Sequence, residues 1–327
     1  MKPKILLIGK GGQIGSELAR LLPCLGDVTA LDRSELDLSR NAEIRLAIRG
    51  ICPQLIVNTA AYTAVDQAEG DERIARTINS EAPGIMAEEA NRIGASLVHF
   101  STDYIFDGVK NSPYEEDDPP NPLNVYGKTK LAGEQAIRDS GVSHLIFRTG
   151  WVYATQGRNF LLTILRLATQ HDQLRVVHDQ LGAPTRNVEI AETITSILSD
   201  IADEHGGIFR ISKVSGTYHM TAAGVATWYD FAAAILEEAY GASQELPWIT
   251  KALGHVPLRT THLVPITTKE YPTTARRPAY SVLSNAKLLK TFGTKLSDWH
   301  VQLQRAFESE ARAERVVPSC DYLNVRR

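Results

Sequence analysis

The feature that most constrains this chain is its opening. A short apolar run, Lys4–Gly9 (KILLIG), leads at once into Gly9-Lys10-Gly11-Gly12-Gln13-Ile14-Gly15, and a helical pattern follows over Gly15–Leu22. Glycines between a buried strand and a helix let the backbone turn sharply and approach a pyrophosphate, whose charge then rests on the helix N-terminus. An ordinary tight turn is the plainer alternative. The strand-before, helix-after context favours dinucleotide binding, with Gly9, Gly12, Gln13, Ile14 and Gly15 as the cradle.

The next 130 residues repeat the same alternation. Strands are expected at Val28–Asp32, Leu55–Asn58, Ser96–Ser101 and His144–Arg148, with helices such as Ala42–Arg49 and Glu81–Ile93 between them. That rhythm predicts an α/β fold, a doubly wound, Rossmann-like parallel sheet with crossover helices. Beyond about Trp151 it loosens. Strands are expected at Arg175–Val177 and Ile208–Ile211, and helices at Phe160–Gln170, Glu189–Ser199 and Ala223–Tyr240. Pro247–Pro278 reads as an irregular stretch of a smaller C-terminal substrate lobe. The expected organisation is a dinucleotide-binding unit over 1–150, remaining strands and lobe interleaved over 151–310, and a loose tail over 311–327.

Composition removes several function classes. Lys plus Arg total 35 against 38 acids, so no net field favours nucleic acid or an anionic membrane. Cys24, Cys52 and Cys320 are far apart and odd in number, which fits reduced thiols in a cytoplasmic protein. No apolar stretch approaches a membrane span or a signal peptide.

Asp32 ends the second strand, where an acid would bind the adenosine ribose hydroxyls. Arg33 follows it, and Arg33 or Lys10 would instead pair a 2′-phosphate. The two clues conflict, leaving NADPH slightly ahead of NADH. Asp37 and Leu38 either flank the adenine or belong to an ordinary loop.

Tyr126 and Lys130 are four residues apart, which places both on one face of a helix. Carbonyl reduction needs an acid that protonates the oxygen as hydride reaches carbon. A free phenol with pKa about 10 is weak for this near neutrality. An ammonium about 4 Å away would favour the phenolate by roughly 4 kcal/mol at an effective dielectric of 20. Tyr-x-x-x-Lys alone is common. Behind a glycine loop, and with Ser101-Thr102-Asp103 at the end of the fourth strand, it becomes specific, since ligands gather at the carboxyl ends of open parallel sheets.

Longer motifs carry a resemblance. They are GKGGQIG, IVNTAAYTAVDQAE, STDYIFDG, PLNVYGKTKLAGE, FRTGWVYA, DQLGAPT and YPTTARRPAYSVL, running from the glycine loop to about Leu289. In these the chain resembles the dTDP-4-dehydrorhamnose reductase family of extended short-chain dehydrogenases. The resemblance implies reduction of a nucleotide-linked 4-keto sugar to dTDP-L-rhamnose. It implies Gly12, Gln13 and Ile14 at the pyrophosphate, Asp32, Asp37 and Leu38 towards the adenosine, and Ala61, Tyr62 and Thr63 along the cofactor. Thr102 would orient the ketone, Tyr126 donate the proton, and Lys130 tune Tyr126 and grip the ribose. Asp103 and Trp151 would contact the sugar nucleotide.

Each of these has a plainer reading: Trp151 as core, Asp103 as a turn cap. Arg276 and Arg277 are either an exposed pair or diphosphate ligands. His99, on an apolar strand, reads as a satisfied core histidine. Some family members bind Mg²⁺ at a homodimer interface through acidic residues. Glu17 keeps one such position, but the place three after Thr185 is Val188, with Glu189 next, and His300 follows Trp299 where an acid is expected. A 4,6-dehydratase would need Asp-Glu after the strand-end Thr, and Asp103-Tyr104 stands there. A 4-epimerase and a non-catalytic cofactor-binding regulatory subunit are the remaining rivals.

Overall fold

The computed structural model describes residues 2–203, 209–241 and 246–308. Six parallel strands form the central sheet: β1 (Lys4–Ile8), β2 (Asp27–Leu31), β3 (Leu55–Asn58), β4 (Ser96–Thr102), β5 (His144–Thr149) and β6 (Gly216–His219). Their spatial order is β6-β5-β4-β3-β1-β2. The order reverses direction between β1 and β3, and a doubly wound sheet binds ligands at such a switch point.

The inner strands β1 and β3 read as nearly unbroken apolar runs because both faces are covered. Along β1, Ile5 and Leu7 join one core with Leu18, Ile190 and Ile194 from helices Gln13–Leu21 and Asn187–Asp200, and with Leu22 from the turn after the first. Leu6 and Ile8 point the other way, into a core with Ile44, Ile48, Met86 and Ile137 from helices Asn41–Ile51, Ala82–Ile93 and Val125–Asp139. This is strand periodicity with both sides buried. A separate cluster, with Leu165, Phe231, Trp248 and Trp299, builds the C-terminal lobe.

The second core face is tied at its rim by Glu89, whose side chain is 3% exposed and accepts from both Arg45 and Arg49. The Arg49 guanidinium, with Arg45 beside it, holds this carboxyl down at about 2, below its ordinary 4.5. A depressed carboxyl stabilises fully above its unfolded value and loses that contribution as pH falls from about 4.5 to about 2. Glu89→Gln should therefore lower stability at pH 7 by about 2 kcal/mol, less than the full shift implies because both arginines are partly exposed. In urea titrations the difference from the parent should shrink across that acid window; a constant difference would contradict the assignment.

Three expectations are corrected. The strand expected at Ile208–Ile211 is not one: Phe209 makes an isolated bridge to Ala202, Ile211–Lys213 is a 3-10 turn, and Ile208 lies outside the described residues. The sixth sheet strand is Gly216–His219, parallel to β5, whose GTYH sequence carries little apolar signal. The helix expected from Ala223 starts at Trp228, behind a two-residue strand at Ala226–Thr227. The stretch Pro247–Pro278 is more regular than its composition suggests. It holds helix Pro247–Leu253 and strand His262–Ile266, which pairs with Gln173–Val177 in a two-stranded sheet. Pro265 is tolerated on so small a sheet because few ladder bonds need its missing N–H. The tail expected over 311–327, with Cys320, lies outside the described residues.

Candidate active site

The glycine loop bends between β1 and helix Gln13–Leu21, with Gly12 as its extended N-cap and no side chain capping the first turn. Thr59 Oγ1, just past β3, donates to the Ile8 and Gly9 carbonyls and pins the loop to the switch point. Gly15 is forced by close approach, since a Cβ there would stand 2.0 Å from the Gly9 oxygen. Around a Cβ on Gly11 there is open space, and the Gln13 side-chain oxygen is buried without a hydrogen-bond partner among the described residues. Uncapped N–H groups and an open face fit a bound pyrophosphate. Gly15→Ala should weaken dinucleotide binding at least about tenfold and cost roughly 1–3 kcal/mol of stability, through overpacking. Fluorescence titration and thermal melts check this, and parent-like affinity would contradict the cradle.

Past the end of β2 the residues are engaged with each other. Asp32 accepts from the Ser34 N–H and hydroxyl, and Lys10 pairs with Glu35 at 2.6 Å and lies 3.9 Å from Asp32. Arg33 is exposed. Asp37 closes a turn by accepting from the Ser39 N–H, and Leu38 packs in the core beside Leu36. Ala61, Tyr62 and Thr63 leave β3 at the sheet's carboxyl end. Tyr62 is held there by buried Asn79, which accepts from the Tyr62 N–H and donates to the Tyr62 carbonyl and to Thr129. Asn79 sits in a π-helical turn, Thr77–Glu81, for which the sequence offers no signal.

Thr102, Tyr126 and Lys130 come together around the end of β4. Asn124 starts the helix: its Oδ1 accepts from the Gly127 N–H while its Nδ2 donates to the Arg276 carbonyl. Gly127 must be glycine because a Cβ would stand 2.2 Å from the Tyr104 carbonyl oxygen. That contact brings Tyr126 edge-on to Tyr104, with ring centroids 6.0 Å apart. The Thr102 hydroxyl donates to Asp103 at 3.0 Å, accepts from the Tyr104 N–H at 3.1 Å, and is close enough to the Tyr126 phenol to favour its ionised form. Lys130 is 1% exposed; its Nζ donates to the Phe100 carbonyl at 2.5 Å and lies 3.3 Å from His99 Nε2.

The electrostatics differ from the expectation drawn from spacing. Burial pushes the Tyr126 phenol up to about 12, and the Thr102 hydrogen bond opposes this only in part. Burial pushes Lys130 down to about 8. The ammonium is committed to the strand carbonyl, so desolvation outweighs its pull on the phenol. Asp103, also buried, is raised to about 6 by desolvation.

The substrate candidates are positioned by the lobe. Trp151 stacks on Trp228 at 3.5 Å with rings nearly parallel, and its own backbone is left-handed, φ 51°. Such a conformation in a bulky residue is strained, as at sites where geometry matters more than stability. Gly150, just before it, is packed against the Asp103 carboxyl. Arg277 is not free: it donates to Asp66 at 2.6 and 3.2 Å and so straps the segment after Tyr271 onto the short helix Val65–Ala68 that follows β3. Asp66 had no sequence signal for this role. Glu17 pairs with Arg20, and Glu189 with Arg305 and Ser297. Among the described residues no group of three or more His, Cys, Asp or Glu could hold a metal ion.

A hydroxyl, a phenol and an ammonium at the carboxyl end of a parallel sheet, one strand from a pyrophosphate cradle, define an oxidoreductase of the extended short-chain dehydrogenase class. Comparison with known proteins narrows the class. The RmlD substrate binding domain family matches residues 2–312. The dTDP-4-dehydrorhamnose reductase of Burkholderia thailandensis is 46% identical over 297 residues, covering 90% of this chain and 95% of that protein. The enzyme of that name from Escherichia coli K12 is 42% identical over 305 residues, covering 92% and 96%. Among solved structures, a dTDP-4-dehydrorhamnose reductase from Bacillus anthracis in complex with NADP aligns with TM-score 0.81 at 31% identity, covering 94% of this chain and 99% of that one. A Thermus thermophilus UDP-glucose 4-epimerase shares the fold alone, at TM-score 0.72 and 17% identity, covering 94% and 99%. The chain belongs to the dTDP-4-dehydrorhamnose reductase family.

Proposed function

We propose that this protein reduces the 4-keto group of dTDP-4-dehydro-6-deoxy-L-mannose to give dTDP-L-rhamnose, for polysaccharide biosynthesis, with NAD(P)H as hydride donor and NADPH preferred. The observation that carries this is the gathering of Thr102, Tyr126 and Lys130 at the end of β4. Bound nicotinamide supplies the hydride. The chain supplies the rest. Gly9, Gly12, Gln13, Ile14 and Gly15 hold the pyrophosphate, and Lys10, Asp32 and Arg33 meet the adenosine ribose, with Asp37, Leu38, Ala61, Tyr62 and Thr63 along the cofactor's length.

Tyr126 is the proton donor. Its raised phenol stays protonated at neutral pH, and a forming alkoxide is basic enough to take that proton. Thr102 orients the ketone oxygen with the hydroxyl hydrogen that Asp103 otherwise accepts, and a phenolate is left behind on Tyr126. Lys130, one helical turn on, holds the ribose and balances that phenolate. Asp103, Trp151 and Arg277 face the sugar nucleotide, Arg277 through the strap it makes with Asp66.

In this reading residues 1–150 bind the cofactor and 151–310 contribute the substrate lobe. The site works in the cytoplasm, and no helix among the described residues is long and apolar enough to cross a membrane. The donor set of one chain does not fit Mg²⁺, since Glu17 and Glu189 are both committed to arginines.

Oxidation of NADPH and NADH against a panel of nucleotide-linked ketoses tests the proposal. Prompt oxidation with the dTDP-linked 4-keto-6-deoxy sugar is expected. Cofactor binding without turnover on any ketose would leave a regulatory subunit, and faster turnover of another ketose would reassign the substrate.

A further inference from the structure

His99 is completely buried on β4, between the cofactor cradle and the proton donor's helix, and the mechanism above does not use it. Its two ring nitrogens both have partners. Nδ1 lies 3.1 Å from Asn58 Nδ2, and Nε2 lies 3.3 Å from Lys130 Nζ. Asn58 is itself fully buried at the end of β3.

The proton positions follow from the backbone. The Ala60 N–H donates to Asn58 Oδ1 at 3.1 Å, which fixes the amide with its NH₂ towards the imidazole. Turning the amide over would oppose two donors and orphan a backbone N–H, at about 1–3 kcal/mol. His99 Nδ1 is therefore an acceptor, and the neutral ring carries its hydrogen on Nε2. That hydrogen faces Lys130 Nζ. An amine can accept it through its lone pair; an ammonium cannot. Lys130 is the titratable group facing His99, and its ammonium form is the one that the Nε2–H opposes. Glu134, the next turn along, is bonded to Arg148 and Arg138, and Asp103 lies by Thr102 and Tyr126.

We propose that His99 is a positioning residue for catalysis: locked by Asn58 and Ala60 as the Nε2–H tautomer, it turns an N–H towards Lys130 Nζ and loosens the lysine's hold on its proton. The Phe100 carbonyl pulls the opposite way by accepting from the same Nζ. Between them they fix where Nζ sits and leave its charge adjustable when a ribose hydroxyl and a phenolate arrive.

The kinetic test rests on the reductase reading; the spectroscopic test does not. In ¹⁵N-histidine-labelled protein without ligands, the His99 ring should show a protonated Nε2 and a bare Nδ1. A protonated Nδ1 would overturn the proposal, whatever the protein's substrate. In the pH profile of kcat/KM, His99→Leu should move the alkaline limb upward by about one unit, the worth of one hydrogen bond. His99→Gln, which can accept from Asn58 and still turn an N–H towards Lys130, should keep the limb near its parent position. Thermal melts report whether each variant folds. An unmoved limb in folded His99→Leu, or one moved downward, would also overturn it, and if that variant fails to fold the ring spectrum of the parent decides.

Discussion

Replacing Tyr126 by phenylalanine should reduce kcat by about 10²–10⁴-fold, the range spanned by a positioned general acid, with dinucleotide affinity nearly unchanged. The affinity should survive because the cradle is built by other elements, β1, helix Gln13–Leu21 and Thr59. The fold should survive because the ring keeps its edge-on contact with Tyr104 and loses only the hydroxyl. Thr102 cannot replace the lost acid, since an aliphatic hydroxyl holds its proton far more tightly than a phenol does. Stopped-flow cofactor oxidation and a cofactor titration on the same preparation would separate the two effects. Parent-like turnover would remove Tyr126 from its role.

Lys130→Met should also abolish turnover, and it should weaken cofactor affinity, which distinguishes it from the tyrosine variant. Its effect on stability is the more informative part. The ammonium is held at 1% exposure with its affinity for a proton lowered by burial, to about 8. A lysine depressed in this way destabilises the fold in full below about pH 8, and the penalty fades as pH rises towards 10.5. Methionine removes that penalty but orphans the Phe100 carbonyl, a loss of about 1–3 kcal/mol. These nearly offset, so at pH 7 the variant should match the parent within about 1 kcal/mol, while kcat collapses. A large loss of stability would mean that Lys130 is chiefly structural.

The parts of this fold legible in the sequence are those whose signal is local. β1 and β3 are legible because both faces are buried and each is a run of Leu, Ile and Val, and β2, β4 and β5 because a shorter apolar stretch stands between helical segments. β6 is not legible because Thr217 and His219 interrupt so short a strand, while Ile208–Ile211 is the more apolar stretch. The Tyr126–Lys130 pair is legible because one helical turn fixes it. What surrounds it is assembled across the chain. Asn58 meets His99 over 41 residues, Asn79 meets Thr129 over 50, and Arg277 meets Asp66 over 211. Each of those residues looks ordinary where it stands. The same distance limit explains the electrostatic miss: helical spacing predicts a lysine beside a tyrosine, but not a strand carbonyl that engages the lysine first.

Isotope transfer tests the central claim most directly. With NADPH carrying deuterium at the transferable C4 position, supplied in each stereochemical form, and the dTDP-linked 4-keto-6-deoxy sugar, NMR of the product should find deuterium on the sugar's C4. One form should transfer it, in step with cofactor oxidation. A product without deuterium at that carbon from either form, or an altered sugar with no net oxidation of the cofactor, would contradict a hydride transfer completed by the Tyr126 proton.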